Sequence, residues 1–191
     1  MSKVQKLVNI ALAEFLGTAS MLFLVCTGCT SGIQGTISSL HLSLCSGLSV
    51  MAAIQMFGHI SGAHINPVVS LAALMVDEIS YLEIPVYIVS QVLGCLAGCG
   101  LQKMVTPLQH EIQYPGRGIC VNAPYETLTD WEGSYTGASM NPVRSFGPAV
   151  WSNDFRSHWV YWVGPTIGSL IATITYKYSF LRVEVHTREY K

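Results

Sequence analysis

Two stretches decide how this chain folds: Ser61-Gly62-Ala63-His64-Ile65-Asn66-Pro67-Val68, and Thr136-Gly137-Ala138-Ser139-Met140-Asn141-Pro142-Val143-Arg144-Ser145. Both read Gly-Ala-x-x-Asn-Pro-Val, and their asparagines lie 75 positions apart. Each opens an apolar segment, Ile65 to Val76 and Met140 to Val150, that is too short to cross a bilayer, which takes about 20 residues of helix. Proline is tolerated in the first turn of a helix, where its missing N–H costs nothing. Each segment therefore reads as a half-helix that starts inside the membrane at its asparagine. Irregular backbone at that depth must line a water-filled cavity or be buried in protein. A matched pair of short, broken segments points to an inverted repeat with its site at the midplane. One Asn-Pro-Val alone would be weak evidence; two, each after a Gly-Ala turn, are strong.

The sequence around these boxes supports a membrane setting. Half of the 191 residues are hydrophobic and 11% are charged, against about 25% charged in a soluble domain. Four segments are long and apolar enough to span. They are Val8 to Thr30, Ser39 to Gly58, Ile84 to about Val105, and Trp159 to about Phe180. The first follows a short basic start, but it is too long for the apolar region of a signal peptide. Trp159, Tyr161 and Trp162 form an aromatic belt at one interface. Residues 107–135 hold three prolines and scattered charges, and read as an aqueous loop. Lys3 and Lys6 near one end, and Lys177, Arg182, Arg188 and Lys191 near the other, place both termini on the cytoplasmic side.

The same residues exclude other classes. A net charge of −1 gives no electrostatic footprint for nucleic acid. No Ser/His/Asp set, carboxylate pair, metal cluster or phosphate loop stands outside the apolar segments, so neither an enzyme nor a cofactor or metal site is expected. Five of the six cysteines lie in apolar segments, which argues against a disulfide framework. Cys26 and Cys29, a CxxC by spelling, read as small packing residues. Gly94 and Gly98 form a GxxxG suited to close helix contact.

The two boxes resemble those of the aquaporin, or major intrinsic protein, family. Ala13-Glu14-Phe15-Leu16-Gly17-Thr18, Gly58 to His64, Arg144-Ser145-Phe146-Gly147-Pro148-Ala149 and His158 to Pro165 resemble the same family. The resemblance implies an all-α membrane protein, a helical bundle with two Asn-Pro-Val half-helices. It implies a passive channel for water and small neutral solutes, assembled as a homotetramer in lipid and placed in the plasma membrane. Asn66, Pro67, Val68, Asn141, Pro142 and Val143 would form the central boxes, with valine where the family usually has alanine. Arg144 would belong to the outer selectivity filter. Carried over by counting, Ser46 and Ala138 would be two more filter positions, and His64 would line the pore wall. Small residues at Ser46 and Ala138 widen the filter and argue for glycerol or urea beside water. Glu14 would hold the backbone of the first half-helix loop, and His59 would pack between helices.

The family has six spanning helices in two repeats. Here residues 1–106 hold a complete first repeat, 136–180 a remnant of the second, and 181–191 a cytoplasmic tail, all in one domain. Only about 35 residues separate the third span from Asn141, too few for two more spans of about 20 residues each with their loops. The fourth and fifth helices of the family are therefore expected to be missing, leaving about four spans. That leaves a second reading open: a non-conducting subunit that associates with full-length relatives as a hetero-oligomer.

Overall fold

The computed structural model describes residues 2–30, 38–106, 120–122 and 139–181. Among these residues the chain is all helical. In order come α1 (Lys3–Thr30), α2 (Ser39–Ser61), α3 (Pro67–Met75), α4 (Ile84–Val105), α5 (Pro142–Ser152) and α6 (Val160–Tyr176), which runs on into a π-helical turn, Lys177–Leu181. Most of the 107–135 loop, the Thr136-Gly137-Ala138 turn and the tail beyond 181 lie outside the described residues.

Three helices, α1, α2 and α4, are long and apolar enough to cross a membrane by length and composition. The fourth expected span falls short as an α-helix, because α6 has 17 residues. Its path is completed by the five residues of the π turn. The two short segments form half-helices as the boxes predict, α3 with 9 residues and α5 with 11.

The boundaries follow from local chemistry. Ser38 caps α2 by accepting from the His41 N–H, and Gly62 ends it in the left-handed region at φ 85°. Asn66 and Asn141 cap α3 and α5, each accepting from the N–H two residues on. Each helix then has proline in its first turn.

The tightest seam joins α1 to α4. A Cβ at Gly94 would sit 2.5 Å from the Phe15 carbonyl oxygen, and one at Gly98 would run into the Ala19 backbone. The GxxxG thus brings two backbones together within the protomer. On the other side of α4, a Cβ at Gly147 of α5 would lie 2.8 Å from the Cys99 sulfur. Met21, Leu22, Val25, Cys26, Cys95, Cys99 and Val143 pack together between these three helices.

Ion pairs and capping contacts sort the bundle into two ends. Lys6 of α1 pairs with Glu83, just before α4. Lys177, at the end of α6, donates to the Met75 carbonyl at 2.7 Å and to Asp77 at 3.1 Å. At the opposite end, the Lys103 ammonium lies 6.0 Å from the Trp151 ring centroid, and the Trp151 indole donates to the Leu96 carbonyl at 2.9 Å. A Cys29–Cys120 disulfide closes that same end, with Cα atoms 5.5 Å apart. This corrects one expectation. Cys26 is a buried packing residue, but Cys29, on the last turn of α1, is bonded to Cys120. His59 is also corrected. It is exposed rather than packed between helices.

Candidate functional site

The site is where the half-helix N-termini meet, and it is built from Glu14 outward. Glu14 is fully buried on α1. One carboxylate oxygen accepts from the Ser61 hydroxyl at 2.6 Å and the His64 N–H at 2.9 Å. The other accepts from the Ile65 N–H at 2.8 Å and the Gln91 amide at 2.8 Å. These bonds explain an otherwise costly loop. Ala63 and Ile65 both sit at φ 45°, a region that a β-branched residue rarely enters. A charged acceptor gripping two successive N–H groups holds that conformation in place.

The strained loop aims its end groups at the other half of the chain. The Asn141 carboxamide donates to the Ile65 carbonyl at 2.8 Å. The Asn66 carboxamide donates to the Met140 carbonyl at 3.2 Å. Each asparagine oxygen meanwhile accepts from its own helix, at Val68 N–H (3.0 Å) and Val143 N–H (3.2 Å). A carboxamide nitrogen carries two hydrogens, so the reciprocal bonds take one from each. Pro67, Val68, Pro142 and Val143 are buried behind the asparagines. Val143 is wholly so, in the core between α1 and α4. The valines therefore serve packing.

His64 is half-buried and stacks on Tyr87, with ring centroids 4.4 Å apart. Its Nδ1 lies 3.0 Å from the Ser70 hydroxyl, which also accepts from Gln91 at 3.0 Å and donates to the Asn66 carbonyl at 3.3 Å. All three contacts are satisfied when Nδ1–H donates to the Ser70 hydroxyl. The Tyr87 hydroxyl donates to the Ser61 carbonyl at 2.5 Å. A polar network thus runs from Glu14 through Gln91 and Ser70 to the first box.

Arg144, on the first turn of α5, donates to the Asn122 side-chain oxygen. The Ser145 hydroxyl donates to the same oxygen at 3.1 Å. Asn122 is buried and stands two residues beyond the disulfide cysteine. It was not singled out from sequence, because nothing local marks a lone asparagine in a long polar loop as a partner for an arginine 22 positions later. Ser46 is half-buried on α2, and Ala138 lies outside the described residues. The structure therefore brings together Asn66, Asn141, their prolines and valines, His64 and Glu14. Among the described residues, no group of three or more His, Cys, Asp or Glu is arranged to hold a metal ion.

The family model for "Major intrinsic protein" matches residues 1–130 and 127–176. The chain belongs to the major intrinsic protein family, the aquaporins. Its members are channels rather than enzymes. Human aquaporin-4 is 36% identical over an alignment of 215 positions, which takes in 88% of this chain and 66% of that protein. The chain thus spans just under two thirds of the length of this relative. The sheep lens fiber major intrinsic protein is 33% identical over 207 positions, covering 87% of this chain and 79% of its own length. Both alignments are longer than the 191-residue chain, so these aquaporins carry residues with no counterpart here. The family match breaks at residues 127–130, which puts the interruption between α4 and the second box. The fold is also that of the aquaglyceroporin from Plasmodium falciparum in its X-ray structure, with a TM-score of 0.79 at 20% identity over 93% of this chain and 98% of that one.

Proposed function

We propose that this aquaporin-family chain is a passive membrane channel for water, wide enough at its outer filter for small neutral solutes such as glycerol or urea. The reciprocal asparagine bonds carry the reading. They set two half-helix N-termini against each other, and each end carries roughly half a positive charge with unpaired N–H groups. Cations are repelled there. The second hydrogen of each carboxamide is left for a permeant oxygen, so a water passing the pair is oriented by two donors. Its neighbours must then point their own hydrogens outward, which breaks a continuous proton wire while water passes. In this reading Arg144, Ser46 and Ala138 form the outer constriction, with His64 in the wall below. Two small residues beside one arginine leave it broad.

The topology we propose has both termini in the cytoplasm. The basic residues at the Lys6 and Lys177 end favour it. So does the Cys29–Cys120 bond at the other end, since disulfides persist on the oxidising side of a membrane.

Osmotic swelling of proteoliposomes tests the function, with water and then glycerol gradients. Swelling faster than protein-free vesicles, reduced by Asn66→Ala and by Asn141→Ala, is the expected result. Swelling no faster than protein-free vesicles overturns it.

A second reading is favoured by α2. Only 11% of its spanning window is buried, against 50% for α1 and 44% for α4. In this second reading the chain is a non-conducting subunit that associates through that exposed face with full-length relatives, in a tetramer or another hetero-oligomer. Co-expression with a full-length channel decides: unchanged flux and no co-purification speak against it.

A further inference from the structure

We propose that Ser70 is a positioning residue for His64: it fixes the ring in the Nδ1–H tautomer and leaves Nε2 as a bare acceptor in the wall below the asparagine pair. The geometry stands without the pore reading, and only the expected effect on flux rests on it. Ser70 is fully buried, and its hydroxyl has one hydrogen and two lone pairs. The Gln91 amide nitrogen lies 3.0 Å from that hydroxyl and 2.8 Å from the Glu14 carboxylate. Turned the other way, the amide would set its oxygen against a carboxylate oxygen, so Gln91 donates to Ser70 and fills one lone pair. The Gln91 oxygen is in consequence buried without a hydrogen-bond partner among the described residues. The Asn66 carbonyl, 3.3 Å away, can only accept, and takes the hydroxyl hydrogen. The lone pair that remains faces His64 Nδ1 at 3.0 Å, and it calls for a proton there. The stack on Tyr87, at 4.4 Å between centroids, holds the ring in place.

A neutral imidazole carries one N–H, and the bond made by one nitrogen decides the state of the other. With Nδ1 protonated, Nε2 keeps its lone pair. That nitrogen has no hydrogen-bond partner among the described residues, and it is not one of the buried atoms left without one. It stands on the accessible side of a half-buried ring. A Cβ at position 62 would come within 3.2 Å of it, and glycine there leaves it uncovered. In the pore reading this acceptor has a use. The Asn66 and Asn141 carboxamides bind a permeant oxygen, so the next water points its hydrogens away from them. Nε2 receives such a hydrogen, and the wall repeats the orientation that the asparagines begin. A ring carrying Nε2–H instead would meet that hydrogen with its own.

Solid-state nitrogen NMR on the full chain in lipid vesicles, with isotope-labelled histidine, reads the ring directly. It is run at about pH 8, above the ordinary histidine pKa of about 6.5. His64→Asn picks out the His64 signals among the six histidines. Wild type is expected to show Nδ1 protonated and Nε2 bare. Ser70→Ala removes the acceptor and moves the proton to Nε2, whereas Ser70→Thr, which keeps the hydroxyl, leaves it on Nδ1. Ser70→Cys, with a weak sulfur acceptor, makes the same move in part and serves if the alanine variant does not fold. Osmotic swelling in water is expected to slow about fivefold in Ser70→Ala, the equivalent of one neutral hydrogen bond, with Ser70→Thr rescuing it. A role in stability alone would leave the tautomer unmoved. If the tautomers follow this pattern but no sample swells, the positioning stands and the pore reading fails. A wild-type ring with its proton on Nε2, or on both nitrogens, overturns the proposal. So does a Ser70→Ala or Ser70→Cys ring that keeps the wild-type tautomer, or a folded Ser70→Ala that conducts as well as a conducting wild type.

Discussion

Glu14 shows how much a single buried residue can organise. Its carboxylate meets four donors from α2, α4 and the first box loop. Replacing it with alanine would strand those donors in an apolar interior, at about 1–3 kcal/mol for each group left unmet. Glu14→Ala is therefore expected to lower the melting midpoint in detergent more than Ala substitution of any surface carboxylate, with Glu14→Gln in between. A wild-type midpoint for Glu14→Ala would mean that the strained turn at Ala63 and Ile65 holds itself. At the end held by Lys6 and Lys177, burial pushes the Glu83 carboxyl up, but hydrogen bonds from Lys6 and from Ser80 outweigh it and hold it below the usual carboxylate range. The folded state thus binds this proton less readily than the unfolded chain. Its stabilisation is present above the ordinary carboxylate pKa of about 4.3, and it is lost as pH falls through that range. Melting from about pH 5 down to about pH 2 is expected to show a steeper fall for wild type than for Glu83→Gln. Parallel curves would remove Glu83 from the account.

At the scale of elements, the α1–α4 seam depends on two glycines rather than on large apolar side chains. Any side chain at Gly98 meets the Ala19 backbone, which cannot swing aside as a flexible side chain would. Gly98→Leu should therefore cost at least about 1–3 kcal/mol, the range for an overpacked core. We expect it to abolish recovery of monodisperse protein in size-exclusion chromatography, while Gly168→Leu on α6, where a Cβ meets open space, does not. The half-helices were legible in the sequence because Asn-Pro marks both a cap and a first turn, and because each apolar run stops short of a bilayer. The seam was legible from the spacing of Gly94 and Gly98. The Cys29–Cys120 bond was not, since a cysteine at the end of an apolar run looks like its buried neighbour Cys26 until Cys120 is seen beside it. His59 misled for a related reason: position along α2 says which residues are near a box, not which side of the helix has company. The asparagine carboxamides were legible as donors, but their partners, the Ile65 and Met140 carbonyls, are backbone groups that no pattern of side chains announces.

For the whole molecule, the arrangement of ends makes a prediction about sidedness. Tyr81 lies between α3 and α4, at the end held by Lys6 and Glu83, and is 83% exposed. A Tyr81→Cys variant in intact cells should resist an impermeant maleimide from outside and react once the membrane is opened. Labelling in intact cells would invert the topology. The reciprocal asparagine bonds have a further consequence, in the order of assembly. They close contacts across 74 and 76 positions of chain. A chain emerging from the ribosome reaches Asn66 long before Met140 and Asn141 exist. Through that interval the Ile65 carbonyl and the Asn66 amide lack the groups that later meet them. The first half is thus an intermediate by construction, and the second box, when it arrives, acts as its proofreader.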